Sequence, residues 1–252
     1  MIRELKIFKQ HGKQFVPDMT AVELTPLFRG RPVISKQPDK KETDDLVKVC
    51  PTKAIKAEPF GIDLGKCVFC KECQFMVPEK IAFTNDYKIA TNDRNRLMIG
   101  VGEDKPIELH PDLVRQEIRK YFKNSLKLRQ ISAAGDNSCE MELNASGNVN
   151  FDMGRYGIEF VASPRHADGI VITGPISENM AEATQICYDA TPDPKIIILV
   201  GTDAISGGIF DGSPAINRSF LEKYPIDLYV PGNPAHPLTF INGILSLLGK
   251  KK

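Results

Sequence analysis

GIVITGPISENMAEATQICYDATPDPKIIILVG, residues 169–201, begins and ends on β-branched apolar runs that enclose a segment of helical composition. GIVITG (169–174) and KIIILVG (195–201) show no apolar/polar alternation, so they predict strands buried on both faces, with ENMAEATQICYDA as the helix between them. A third run, DLYVPG (227–232), follows a looser stretch with a helix expected around residues 217–223. It leads into LTFINGILSLL, an apolar helix ahead of the tail Lys250-Lys251-Lys252. Strands separated by helices in this way predict a parallel sheet covered on both faces. In such sheets ligands sit beyond the carboxyl ends of the strands, which singles out Gly174-Pro175, Gly201-Thr202-Asp203 and Pro231-Gly232-Asn233.

The chain upstream is punctuated differently. CPTKAIKAEPFGIDLGKCVFCKECQFMVP, residues 50–78, contains Cys67, Cys70 and Cys73 as a C-x-x-C-x-x-C run, and Cys50-Pro51 precedes it. The stretch resembles half of a bacterial two-cluster ferredoxin, in which such a run supplies three ligands and the Cys-Pro of the other half supplies the fourth. Cys50, Cys67, Cys70 and Cys73 form that complete set, while the positions of the second cluster hold Lys40, Thr43, Leu46 and Val77. One whole set is present and the other wholly absent, which predicts a single [4Fe–4S] cluster retained as a unit. Buried or disulfide-bonded cysteines, or a C-x-x-C zinc site, are the alternatives. Around this core, residues 1–35 carry an alternating stretch, Leu5-Lys6-Ile7-Phe8, and the turn-rich PLFRGRPVI. Phe83–Ile89 and Arg96–Ile99 read as short strands, and PDLVRQEIRKYF (111–122) as one helix with Asp112 near its positive end.

A chain of 252 residues with 42% hydrophobic content can build a real core, and a formal net charge of +1 carries no nucleic-acid signature. The charged start of the sequence predicts no secretory signal, and no apolar run reaches membrane-spanning length. An intracellular protein is expected, in which cysteines bind metal rather than pair. The Gly/Pro-rich joint GVGEDKPIELHP (100–111) places a boundary near residue 105.

MIRELKI, FRGRPVI, CPTKAI and GKCVFCKEC together resemble the ferredoxin-type subunit of formate hydrogenlyase and energy-converting hydrogenase complexes. From Leu128 onward, DNSCEMELNA, RYGIEFVASPRHADGIVITGPISENMAEA, TPDPKIIILVGTDAISGGIF and DLYVPGNPAHP resemble the small subunit of the same group 4 hydrogenases, a relative of the complex I subunit that carries its terminal cluster. The resemblance implies a fusion. Its fold would be α/β with α+β: a ferredoxin-like iron-sulfur domain over residues 1–105, then a flavodoxin-like parallel-sheet domain over residues 106–252. It also implies an electron-transfer role, and as partners a hydrogenase-type or complex I-like large subunit, membrane subunits and a soluble redox donor. The place would be the cytoplasmic side of the cell membrane, peripheral within the complex. No residue is expected to be catalytic, and no nucleic acid to bind.

The departures from that family are specific. Its proximal-cluster ligands, carried over by position, fall on Asp136, Cys139, Asp203 and Asn233, so one thiolate of four remains. Carboxylate and amide oxygens are hard donors and suit a cluster poorly. The expectation is no ordinary proximal cluster. A divalent ion or an unusual cluster, or a hydrogen-bonded polar pocket, would stand in its place. Cys187 reads as a small buried hydrophobe, His166 as a core or interface residue, His236 as a weak metal-ligand candidate and Gly207-Gly208 as a turn. Two functions follow: an electron-transfer subunit, or a structural or regulatory paralogue that docks a large subunit and conducts nothing.

Overall fold

The structure is a computed structural model that describes residues 2–12 and 14–250, so Met1 of the charged start and Lys251 and Lys252 of the basic tail lie outside the described residues. The alternating stretch near the start is not extended: Ile2–His11 forms helix α1. Strand β1 (Pro32–Ile34) follows, then α2 (Lys40–Val49), opened by a capping box in which Asp39 and Glu42 exchange side-chain and backbone hydrogen bonds. Next come β2 (Ile55–Lys56), β3 (Gly61–Asp63), the short helix α3 (Glu72–Met76), β4 (Ile81–Phe83) and β5 (Met98–Gly100). They pair antiparallel as β1-β4 and as β2-β3-β5.

Two expected strands are displaced. The chain after Phe83 leaves the ladder because Thr84 and Asp86 bond back to Gly30 and Arg31, with Gly30 N–H donating to the Thr84 carbonyl (2.8 Å) and Arg31 N–H to the Asp86 carbonyl (2.9 Å). Arg94–Leu97 is a 3-10 turn, capped by the Asp93 carboxylate on Asn95 N–H, and the strand begins one residue later. The expected helix over 111–122 splits into a 3-10 turn, Pro111–Leu113, and α4 (Gln116–Tyr121). Val114 and Arg115 between them are extended, which lets the Arg115 guanidinium reach both oxygens of Asp227 at 2.8 and 2.9 Å.

The remaining elements are β6 (Leu126–Ser132), α5 (Ser138–Ser146), β7 (Ile158–Phe160), β8 (Gly169–Thr173), α6 (Glu178–Asp189), β9 (Ile196–Val200), α7 (Thr202–Ser206), α8 (Ser219–Lys223), β10 (Leu228–Val230) and α9 (Pro237–Leu247). The sheet has five strands, all parallel, in the order β10-β9-β8-β6-β7. Counted along the chain this is the order 2-1-3-4-5 of flavodoxin-like sheets. The three strands expected from the Ile/Val runs, β8, β9 and β10, are its centre and one side. Strand β6, whose polar residues alternate with Leu126 and Leu128, and the edge strand β7 complete it.

Every residue of β8 and β9 is buried, as continuous apolar runs require. Val171, Ile198 and Val200 face Leu143 on α5 and Phe240, Ile241 and Ile244 on α9. Ile170, Ile172, Ile197 and Leu199 face the opposite way, into a cluster with Phe220, Ile62, Leu64 and Cys67. The upstream cysteine loop is therefore part of the layer that covers one face of the sheet.

Candidate functional site

Cys50 ends α2, Cys67 and Cys70 lie in the loop after β3, and Cys73 is the second residue of α3. The loop is fixed at its start by Asp63. Its carboxylate takes two hydrogen bonds from Arg94 (2.8 and 2.6 Å) and one from Gly65 N–H (2.8 Å), and its carbonyl receives Lys66 and Cys67 N–H. A Cβ on Gly65 would stand 2.7 Å from the Arg94 guanidinium carbon and 2.8 Å from Ile205, so only glycine lets the loop pass here. Three non-glycine residues around the cysteines, Lys53, Phe69 and Lys71, have positive φ. Such conformations are costly and cluster where a loop is shaped for a task. They turn backbone N–H groups inward: Ala54 donates to the Cys50 sulfur at 3.2 Å and Phe69 to the Cys67 sulfur at 3.3 Å.

All four cysteines line one apolar cavity, with Val49, Ala54, Ile55, Ile62 and Phe83. All six cysteines of the chain are free, so none of these sulfurs is tied up in a disulfide. Among the described residues, no three His, Cys, Asp or Glu side chains are gathered as a single metal ion would need. Burial pushes the Cys67 thiol far up, and the three neighbouring sulfurs add to it. Cys73 is pushed up to about 11 by burial, with Cys70 and Cys50 adding to it. Four thiolates could share this cavity only around a positive centre.

The second site lies at the point where the chain reverses its direction of travel across the sheet, between the carboxyl ends of β6 and β8. Asp136, Cys139, Asp203 and Asn233 do come together there, lining one narrow pocket with Gly135, Gly174, Thr202 and Gly232. The four positions converge, but their chemistry is mixed. Asp136 bonds its own loop, accepting Ser138 N–H (2.9 Å) and Ser138 Oγ (2.6 Å), and these bonds hold its carboxyl below the usual range. Asp203 has a buried Oδ1 with no hydrogen-bond partner. Burial, reinforced by the Asp136 charge, pushes its carboxyl up. Cys139 is pushed up to about 12 by burial. The backbone is drawn tight around it: a Cβ on Gly201 would meet the Cys139 sulfur at 2.5 Å, and one on Gly208 would meet Asp203 Oδ1 at 1.8 Å.

Sequence reasoning passes over the residues that connect these sites. Thr202, at the start of α7, donates its hydroxyl to the Cys67 carbonyl at 2.8 Å, joining the cysteine loop to the second pocket. Glu140 braces the same pocket by accepting Ser132 Oγ and Thr173 Oγ1, both at 2.7 Å. In the sequence Thr202 stands out only as part of a strand-end loop, and no motif distinguishes Glu140 from the other acids of its helix. His236 has a structural role: its Nδ1 caps α9 by accepting Leu238 N–H at 3.2 Å, and its ring packs edge-on with Phe28 and Phe151. His166 is exposed in a 3-10 turn rather than in the core, and Cys187 is half-buried on α6. Gly207 and Gly208 form a left-handed turn after α7.

Comparison with known proteins points to the same half of the chain. The probable membrane-bound hydrogenase subunit mbhJ of Pyrococcus furiosus is 33% identical over 134 residues, covering 53% of this chain and 80% of that protein. The B subunit of the NADH-quinone oxidoreductase of Geotalea daltonii is 39% identical and its counterpart from Heliobacterium modesticaldum 42% identical, each match covering 44% of this chain. The chain spans 65% of the length of those two relatives. A chain in the structure of the membrane-bound sulfane sulfur reductase, an archaeal respiratory membrane complex, aligns with a TM-score of 0.45 at 30% identity, covering 53% of this chain and 73% of that one. Residues 137–247, from the loop before α5 to the end of α9, match the family described as NADH ubiquinone oxidoreductase, 20 Kd subunit, and the chain belongs to that family.

Proposed function

We propose that this chain is an electron-transfer subunit of a membrane-associated, hydrogenase-like or complex I-like oxidoreductase. It would carry one [4Fe–4S] cluster on Cys50, Cys67, Cys70 and Cys73, within a ferredoxin-like unit spanning residues 1–105. The observation that carries this reading is that the four cysteines line one apolar cavity, with two backbone N–H groups aimed at sulfur. Three cysteines in a C-x-x-C-x-x-C run with a Cys-Pro at a distance suit a cubane, which distributes its thiolates over separate irons, better than a tetrahedral zinc ion. When bound, the cluster supplies a one-electron redox centre. The chain's own residues exclude water from it, orient the sulfurs through the left-handed turns at Lys53, Phe69 and Lys71, and stabilise sulfur charge through Ala54 and Phe69 N–H.

The unit over residues 106–252 serves in this reading as the docking half for a large subunit, with the whole assembly on the cytoplasmic face of the membrane. Among the described residues no helix is long and apolar enough to cross a membrane. A proximal cluster in the switch-point pocket does not fit: one thiol, three carboxyls and an amide are among its lining groups, and one carboxyl oxygen is buried without a partner. That misfit favours the second reading, a subunit that docks a large subunit without conducting electrons through this half. Anaerobic reconstitution decides first: iron and sulfide at about four each per chain are expected, whereas stoichiometric zinc or no iron overturns the electron-transfer reading. Purification from native membranes should recover the chain with a large subunit, and recovery of free monomer alone counts against docking.

A further inference from the structure

Thr52 stands in the turn that follows Cys50, closed by the Lys53 N–H on the Cys50 carbonyl at 3.2 Å. Turns run over the surface of a protein, where their polar groups meet water. Pro51 and Lys53 are exposed accordingly, but Thr52 between them is buried, at 4% exposure. It lines the cavity of Cys50, Cys67, Cys70 and Cys73. Its hydroxyl is buried and has no hydrogen-bond partner. A buried hydroxyl left unpaired is costly, and each such group in a folded protein calls for an explanation.

The cavity wall narrows what the partner is. The Cys50 sulfur already accepts Ala54 N–H, the Cys67 sulfur accepts Phe69 N–H, and none of the four sulfurs takes the Thr52 hydroxyl. Apart from the cysteines and Thr52, the polar side chains at the wall are Lys71 and Glu72. Lys71 is itself a donor, and Glu72 is exposed to solvent. The missing acceptor is therefore one that the occupant of the cavity brings. A zinc ion brings none, because a cation has no lone pair to offer. A cubane brings inorganic sulfides, which accept hydrogen bonds. As a direct ligand the hydroxyl would be a hard donor, poorly suited to an iron-sulfur centre.

We propose that Thr52 donates its hydroxyl to a sulfide of the cluster and raises the reduction potential of that cluster. The proposal rests on the reading of this cavity as a [4Fe–4S] site. Hydrogen bonds to sulfur are among the factors that set such potentials. A donor offsets negative charge, and one-electron reduction adds negative charge, so the donor stabilises the reduced form more than the oxidised one. In that step one electron arrives from an external reductant, no bond breaks, and the hydroxyl keeps its proton. Ala54 and Phe69 N–H serve the cysteine sulfurs, and Thr52 serves the inorganic core.

The test uses the full-length reconstituted protein, titrated with dithionite and viologen mediators while the reduced paramagnetic signal is followed. Thr52→Val keeps the shape of the side chain and removes the donor. It should retain iron at about four per chain and favour the oxidised form by about tenfold, a potential lower by about 59 mV for one electron. Thr52→Ser keeps the hydroxyl and should match the wild type. Thr184→Val removes another buried, unpartnered threonine hydroxyl, on α6 and outside the cavity wall, and should leave the potential unchanged. Full iron with an unmoved potential in Thr52→Val overturns the proposal alone, as does an equal shift in Thr52→Ser or in Thr184→Val. Loss of iron from Thr52→Val but not from Thr52→Ser supports the hydroxyl contact, whereas loss from both overturns it and leaves Thr52 a residue of shape. Wild-type protein that takes up zinc, or no iron, overturns the cluster reading and this proposal with it.

Discussion

The two sulfur-lined pockets of this chain are built on similar backbone devices and filled with opposite chemistry. Both are shaped by residues of positive φ, at Lys53, Phe69 and Lys71 around the first and at Asn137, Gly174 and Gly201 around the second. Both pack thiols against the same parallel sheet, Cys67 on one face and Cys139 on the other. The first gathers four thiols in apolar surroundings and turns two N–H groups onto sulfur. The second holds one thiol, three carboxyls and an amide, and leaves Asp203 Oδ1 without a partner. Position in a fold makes a pocket; the donor set decides what enters it.

The hardest test of that contrast removes a sulfur from each pocket in turn. Cys67→Ser should take iron from about four per chain to below one, because a buried hydroxyl cannot replace a soft thiolate. Cys139→Ser should leave iron content and the reduced paramagnetic signal unchanged. Equal losses from both would mean that both pockets carry iron, and the comparison would fail.

The reverse experiment writes the missing sulfurs back. Asp136→Cys, Asp203→Cys and Asn233→Cys together should raise reconstituted iron from about four toward about eight per chain and add a second, interacting signal on reduction. The cradle is tight, since a Cβ on Gly201 would already touch the Cys139 sulfur. If the triple variant folds with its melting temperature intact yet gains no iron, the pocket has lost its shape as well as its donors.

A third test asks what holds the first pocket in place. Asp63 is 11% exposed at its side chain and depends on Arg94 for two of its hydrogen bonds. Arg94→Ala leaves that carboxylate with Gly65 N–H alone and should cost about 2 kcal/mol by chemical denaturation, less than a fully buried pair because Arg94 itself is 32% exposed. The same change should slow cluster assembly, since Asp63 sets the start of the cysteine loop. A loss below about 0.5 kcal/mol would assign the loop's geometry to its left-handed turns instead.

Much of this was legible in the sequence, for reasons that differ by region. The buried strands β8 and β9 announce themselves because an unbroken Ile/Val run has no other stable home. The cysteine positions are equally plain, because ligand spacing is local. Strand β6 is not, although it is an interior strand paired on both sides: Lys127, Arg129 and Gln130 interrupt its apolar residues, and its burial comes from neighbours distant in sequence. The split at Val114–Arg115 was equally hidden, because the partner that draws Arg115 out of a helix is Asp227, more than a hundred residues away. Local pattern favoured a continuous helix, and a long-range ion pair overrode it. The convergence of Asp136, Cys139, Asp203 and Asn233 was foreseen only through family resemblance, since nothing in their spacing brings three loops together.

The smallest effect expected is also the one that reports on the second pocket directly. Burial raises the Asp203 carboxyl, the Asp136 charge adds to it, and Arg218 opposes both. A carboxyl whose pKa is higher in the folded state holds its proton more tightly there than in the unfolded chain. Its contribution to stability is then fully present below the unfolded value of about pH 4 and is lost as the pH rises through the folded value. Asp203→Asn keeps the shape of the neutral acid and has no proton to lose. The variant should therefore match the wild-type melting temperature near pH 4 and exceed it at pH 7 by on the order of 2 °C, a modest gain because the side chain is only part-buried. The measurement is a pair of melting curves at each pH with the cluster loaded. A lower melting temperature for Asp203→Asn at pH 7 would mean that the ionised carboxylate is stabilised by a cation, and the pocket would then be a metal site in its own right rather than a vacated one.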